Sequence, residues 1–192
     1  GNGGLAHRQM LDWGSPLWLY AYLGNVRTAF TGVSPPFAFV PMWSLHVEEQ
    51  FYLLFPFVVL HLGNRCLRRT LTALIVGAPL LRVALWWLAP DRPLMQYMLL
   101  PCRIDGLAFG ALIALRVRMG PLRVGRTLLA VVATGLSVAA FAVFVEGGRS
   151  FDTALERTIG YSLFSAAAAR WILWLILFRG SGATGWLDVA PL

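Results

Sequence analysis

The chain has 192 residues, of which 58% are hydrophobic and 13% are charged, and its mean hydropathy is +0.66. Soluble domains contain about 25% charged residues, and disordered chains are polar and poor in aromatic residues, so both classes are excluded. All 16 basic residues are Arg, against 9 acidic residues, which gives a net charge of +7. The arginines cluster in short loops between apolar runs, a pattern typical of membrane topology and not of nucleic-acid binding. The composition predicts a membrane protein whose partner is the lipid bilayer.

The first part of the chain, residues 1–42, is predicted to lie outside the membrane core. It is rich in Gly and aromatic residues and ends in a Pro-bearing stretch. Its apolar run at 17–26 is shorter than the ~20 residues that a bilayer crossing needs, and Trp and Tyr favour the membrane interface. We therefore predict an extracytoplasmic, interfacial segment at 1–42 and a transmembrane core at 43–192.

Five apolar segments follow, at 43–62, 71–89, about 97–115, 127–145 and 158–178. Lipid offers no hydrogen-bond partners to an open backbone, so each segment is predicted to be a helix. The third segment is interrupted by Pro101 and contains Arg103 and Asp105. The predicted fold class is all-α, a polytopic membrane helix bundle with about five transmembrane helices.

The loops between these segments alternate in charge. The 63–70 and 116–126 loops carry arginines and no acid, whereas 90–96 and 146–157 carry charges of both signs. The positive-inside rule then places the Arg-rich loops in the cytoplasm, together with 179–192, and the other connections outside.

The stretch WSLHVEEQFYLLFP at 43–56 opens the first predicted span. Ser44, Glu48 and Tyr52 are four residues apart and therefore share one face of a helix. An acid in the first turns of a helix can be a capping group at the interface, but an acid inside a membrane is costly and is often functional. Because Ser44 and Tyr52 accompany it, Glu48 is favoured over Glu49 as the functional carboxylate.

This stretch closely resembles the WSL-x-VEEQFYLLWP signature of the acyltransferase-3 family of bacterial membrane O-acyltransferases. A second stretch, RIDGLAFG at 103–110, is similar to the R-x-D-G-L-x-x-G element of that family, and Arg82 lies in the intervening helix as the family pattern requires. The resemblance implies a multi-pass protein of the bacterial inner (cytoplasmic) membrane, and we expect this chain to be a central fragment of it. The catalytic His of the family lies in an earlier helix. None of His7, His46 and His61 matches it, so we expect all three at the surface or at helix ends.

The resemblance also implies a reaction, the transfer of an acyl group, commonly acetyl, from an acyl-CoA donor to a sugar hydroxyl of a cell-envelope or secreted glycan. Such a reaction needs a base for the hydroxyl proton and a positive or hydrogen-bonding group near the tetrahedral oxyanion. Acyl-CoA is then a donor substrate, and no bound cofactor is expected. No HExxH or CxxC motif is present, so no metal site is expected either. The expected catalytic residues are Glu48, Arg82 and Arg103, and the expected substrate-binding residues are Trp43, Ser44, Tyr52 and Asp105.

Three arginines lie inside predicted spans. Arg82 is expected either to stabilise charge in the reaction or to form an ion pair with Glu48, because charges in a membrane are usually functional or paired. Arg103 and Asp105 are two residues apart and point to different sides of a helix, so they need not pair with each other. For Arg170, snorkelling to the interface and a functional role both stay open.

Two alternatives compete with an acyltransferase. One is a transporter or flippase-like membrane protein whose buried Arg and Glu side chains line a substrate path. The other is an inactive, truncated remnant. Consumption of acetyl-CoA separates the enzyme from the transporter, and the sequence upstream of Gly1 would decide the remnant by showing whether a helix with a buried His and Arg precedes it.

Overall fold

The computed structural model describes residues 15–33, 40–120, 125–147 and 153–178. Every regular element within these residues is helical, which confirms the predicted all-α class. In chain order the helices are α1 (Leu17–Tyr20), α2 (Gly24–Thr31), α3 (Met42–His61), α4 (Asn64–Leu88), α5 (Pro93–Met98), α6 (Leu100–Arg118), α7 (Arg126–Gly147), a π-helical turn (Glu156–Gly160) and α8 (Tyr161–Leu177).

Four of the described helical stretches are long and apolar enough to cross a membrane: Asn64–Leu88, Pro93–Arg118, Arg126–Val145 and Glu156–Leu177. They confirm the polytopic membrane character that the composition predicts. Helix α3 is not among the four, because His46, Glu48, Glu49 and Gln50 lower the hydropathy of its N-terminal half. A crossing by α3 stays a prediction.

Two of the predicted loops are helical. Helix α4 begins at Asn64, so the arginines of the 63–70 loop lie on its first turns and the link from α3 is only Leu62 and Gly63. Pro93 is the first residue of α5, a position that its fixed φ favours, and the extended backbone of Leu99 separates α5 from α6. The first of these loops is helical because Arg is a good helix former. A cluster of Arg therefore marks a membrane boundary without ending the helix.

The chain divides into two compact units, residues 1–107 (unit 1) and 108–192 (unit 2). In unit 1, α2 packs against α3 and α5, and α4 also contacts α5. Asn25 and Thr28 on α2 are each 1% exposed, so this part of the predicted interfacial segment lies in a packed core. The predicted membrane boundary at residue 42 stays a prediction.

In unit 2, α7 packs along α8, and the π-helical turn contacts both helices. The contact is lined by small residues, since Ala133, Ala140 and Ala167 are buried. Trp171 Nε1 donates a hydrogen bond to Ser137 Oγ at 3.1 Å, which ties the two helices together.

Candidate active site

Among the described residues of unit 1, the most deeply buried charges are Arg82 on α4 and Asp105 on α6, which are 0% and 2% exposed. Arg82 Nη2 lies 3.0 Å from Asp105 Oδ2, and Arg82 Nη1 donates to the carbonyl of Cys102. The other carboxylate oxygen, Asp105 Oδ1, accepts a hydrogen bond from the Gly106 amide at 3.1 Å. The expected ion pair of Arg82 with Glu48 is therefore wrong: the carboxylate that holds Arg82 is Asp105.

Arg103, on the same first turns of α6, is placed between two aromatic rings. Its guanidinium carbon lies 5.7 Å from the ring centroid of Trp43 and 5.6 Å from that of Tyr97. The two rings are themselves in contact, with centroids 4.4 Å apart. Distances below about 6 Å allow a cation–π interaction. As expected from their spacing, Arg103 and Asp105 turn to different partners.

A hydrogen-bond network joins the helices that carry these rings. Gln50 Nε2 donates to Asn25 Oδ1 at 2.9 Å and to the Tyr22 carbonyl at 2.6 Å, and Asn25 Nδ2 donates to the Met98 carbonyl at 2.9 Å. Tyr22 has a φ of 55°, a left-handed conformation that costs an L-residue about 1–2 kcal/mol. The bond from Gln50 offsets part of that cost. The network fixes α3, which carries Trp43, against α5, which carries Tyr97.

His46 lies in the core of unit 1 and is 1% exposed, so it is not at the surface, although it does lie near the start of α3. Its ring meets Tyr22 edge-on, with centroids 6.0 Å apart. Neither ring nitrogen has a hydrogen-bond partner among the described residues, which is uncommon for a buried polar group. His61 is exposed at the end of α3, as expected. His7 lies outside the described residues.

Ser44, Glu48 and Tyr52 do share one face of α3, as their spacing predicts, and all three are exposed. Ser44 Oγ donates to the Pro41 carbonyl at 3.2 Å. The packed face of the helix carries His46, Val47 and Phe51 instead. Unit 1 therefore brings Trp43 and Arg103 together and leaves Glu48 on the opposite, outward face.

Several site residues were missed by sequence reasoning. Gln50 is part of the WSLHVEEQFYLLFP stretch. The one sequence signal for a role at the site was that its amide follows two carboxylates. Asn25 and Tyr97 carry no motif, and only the packing of α2 and α5 brings them to the site.

Comparison of the chain with known proteins finds no match: no family model, no curated protein and no solved structure is similar to it. In the part of the chain that the structure describes, no group of three or more His, Cys, Asp or Glu side chains is placed to hold a metal ion.

Proposed function

We propose that this protein is an integral inner-membrane O-acyltransferase of bacteria. It transfers an acyl group, commonly acetyl, from acyl-CoA to a sugar hydroxyl of a cell-envelope or secreted glycan. The observation that carries the proposal is the contact of Arg103 with Trp43. These residues belong to the two separate stretches that resemble the acyltransferase-3 family, and a shared site is what that resemblance requires of them.

The chemistry needs a cation that can reach the reacting carbonyl. The acceptor oxygen attacks the thioester carbon, the tetrahedral oxyanion forms, and the C–S bond then breaks to release the CoA thiol. Arg103 suits this step because it is half-buried, and its position between two rings orients a planar guanidinium. Arg82 is wholly buried on Asp105 and Cys102. We therefore assign it to positioning the start of α6, where Arg103 lies.

The acceptor hydroxyl must also lose a proton. Glu48 lies on the outward face of α3 beside Ser44 and Tyr52, away from Arg103, so we assign its carboxylate to orienting the acceptor glycan by accepting a hydrogen bond from another of its hydroxyls. His46 is the candidate for the base on the same helix. It follows Trp43 by three residues, which places both side chains on one side of α3, and its ring nitrogens have no partner among the described residues.

The test is transfer of labelled acetyl groups from acetyl-CoA into glycan by the protein in its native membrane. We expect Arg103→Gln to lower the rate about 10²–10³-fold, the typical effect of losing one oxyanion-stabilising donor. Arg92→Gln, at an exposed Arg of the same unit, should leave the rate unchanged. A wild-type protein that moves glycan across the membrane without consuming acetyl-CoA would overturn the proposal in favour of a transporter.

A further inference from the structure

Unit 2 contains a cavity of about 300 Å³ between α6 and α8, which the proposed reaction does not use. Its walls are apolar and include Phe109, Leu112 and Ile113 from α6 and Leu173 from α8. Arg116 and Arg170 complete the lining, one from each helix. Two arginine side chains therefore border one space whose other lining residues are apolar.

Neither arginine is neutralised within the described part of the chain. Arg116 and Arg170 take part in no hydrogen bond or ion pair there. Glu156 is the one acid whose side chain is described in unit 2, and it precedes Arg170 by fourteen residues of helix, about 21 Å along the axis. Among the described residues that line it, the cavity thus has two positive charges and no negative one.

Both arginines also belong to membrane spans. Arg116 is two residues from the end of the span Pro93–Arg118, and Arg170 is seven residues from the end of the span Glu156–Leu177. Charged side chains within such helices usually face a partner or water. Snorkelling explains the position of either arginine alone, but it gives no reason for both to line the same apolar cavity.

We propose that this cavity binds an anionic phospholipid of the surrounding bilayer. The phosphate accepts hydrogen bonds from the two guanidinium groups, whose planar, forked donors match phosphate oxygens. The first part of an acyl chain packs on Phe109, Leu112 and Leu173. Basic pockets between membrane helices on the cytoplasmic side are the usual sites for such headgroups, and the Arg-rich 116–126 segment is predicted to be cytoplasmic. The proposal does not depend on the acyltransferase function.

The experiment uses the purified protein in nanodiscs of phosphatidylcholine, either alone or with a minor fraction of phosphatidylglycerol. Native mass spectrometry measures the phosphatidylglycerol that stays bound, and thermal unfolding measures its effect on the melting temperature. The test variant is Arg116→Gln/Arg170→Gln. The matched control is Arg65→Gln/Arg69→Gln, which removes two exposed arginines of the same predicted membrane side at a different place. A third variant, Arg116→Lys/Arg170→Lys, keeps the charge and loses the forked donors.

We expect wild type to retain phosphatidylglycerol in preference to phosphatidylcholine. The cavity variant should bind it about thirtyfold more weakly, from the usual gain per basic residue near an anionic surface, and the control variant should match wild type. The affinity of the Lys variant for phosphatidylglycerol should lie between those of the cavity and control variants. If the Gln variant does not fold, the Lys variant is the one compared with the control. Equal losses in the cavity and control variants would show general surface attraction and overturn the proposal. Displacement of the lipid by equimolar inorganic phosphate or coenzyme A would also overturn it, because the site would then serve a soluble anion.

Discussion

Arg82 Nη2 and Asp105 Oδ2 lie 3.0 Å apart in the core of unit 1, and neither residue is more than 2% exposed. Removal of one partner leaves the other charge buried and unpaired, which typically destabilises a protein by about 3–5 kcal/mol. We therefore expect Arg82→Met and Asp105→Leu each to lower the melting temperature strongly when unfolding is followed by circular dichroism in detergent.

The double variant Arg82→Met/Asp105→Leu is the informative control. Replacement of a whole buried ion pair by apolar side chains is often neutral or stabilising, so we expect its melting temperature to return close to that of wild type. A double variant as unstable as Arg82→Met, together with an Asp105→Leu variant close to wild type, would mean that the bond from Arg82 to the Cys102 carbonyl, and not the ion pair, carries the stability.

Arg103 tests whether the cation between Trp43 and Tyr97 acts in the reaction. Arg103→Lys keeps the positive charge but loses the planar group that stacks on the two rings. We expect the protein to remain folded and the kcat of acetyl transfer to fall at least tenfold. Arg69→Lys, at an exposed position on α4, should behave as wild type. Equal kcat values for the two variants would remove Arg103 from the site.

Glu48→Gln should abolish acyl transfer and leave the protein inserted and abundant. Gln keeps the shape of the side chain and a carbonyl acceptor but loses the charge. A lost orienting or general-base role costs about 10²–10⁴-fold in rate. Glu49→Gln is the control, because its side chain is turned ~100° around the helix. If Glu48→Gln retains more than about a tenth of the wild-type rate, well above that range, then Glu48 is structural.

The membrane orientation can be tested by labelling single cysteines with an impermeant thiol reagent in intact cells. The exposed Cys66 is first replaced by Ser, and Cys102 is buried. Because the 116–126 loop holds four arginines and no acid, Met119→Cys should be protected from outside, whereas Ala154→Cys should be labelled. Labelling of both cysteines from the same side would contradict the alternating topology.

Gly160 tests the close contact of the π-helical turn with α7. A Cβ at this position would lie 3.3 Å from Val143 Cγ1, so Val143 must shift by a few tenths of an ångström in Gly160→Ala, which offsets the gain in helix propensity. A melting temperature below that of Gly135→Ala is expected. Gly135→Ala on α7 meets nothing within 4 Å and should not lower it. Val143→Ala combined with Gly160→Ala should relieve the contact, and failure to do so would place the strain elsewhere.

The sequence by itself determined the class of this protein. Hydropathy and helix periodicity are local properties, so the all-helical membrane character and the shared face of Ser44, Glu48 and Tyr52 were predictable from neighbouring residues. The limits of the helices were predicted less well. Arg clusters indicate where a helix leaves the membrane, but Arg65, Arg68 and Arg69 continue α4 beyond that point because Arg does not end a helix.

Only the tertiary structure decided which residues meet. Periodicity shows that Glu48 and His46 lie on different sides of α3, but not which side faces the core. The side of α3 that faces the core is set by α2 and α5, which pack against this helix at the same time. The same packing buries His46, turns Glu48 outward and seats Arg103 between Trp43 and Tyr97. The tertiary structure also pairs Arg82 with Asp105. The partner of this buried charge is set by the approach of α4 to the start of α6, and not by distance along the chain.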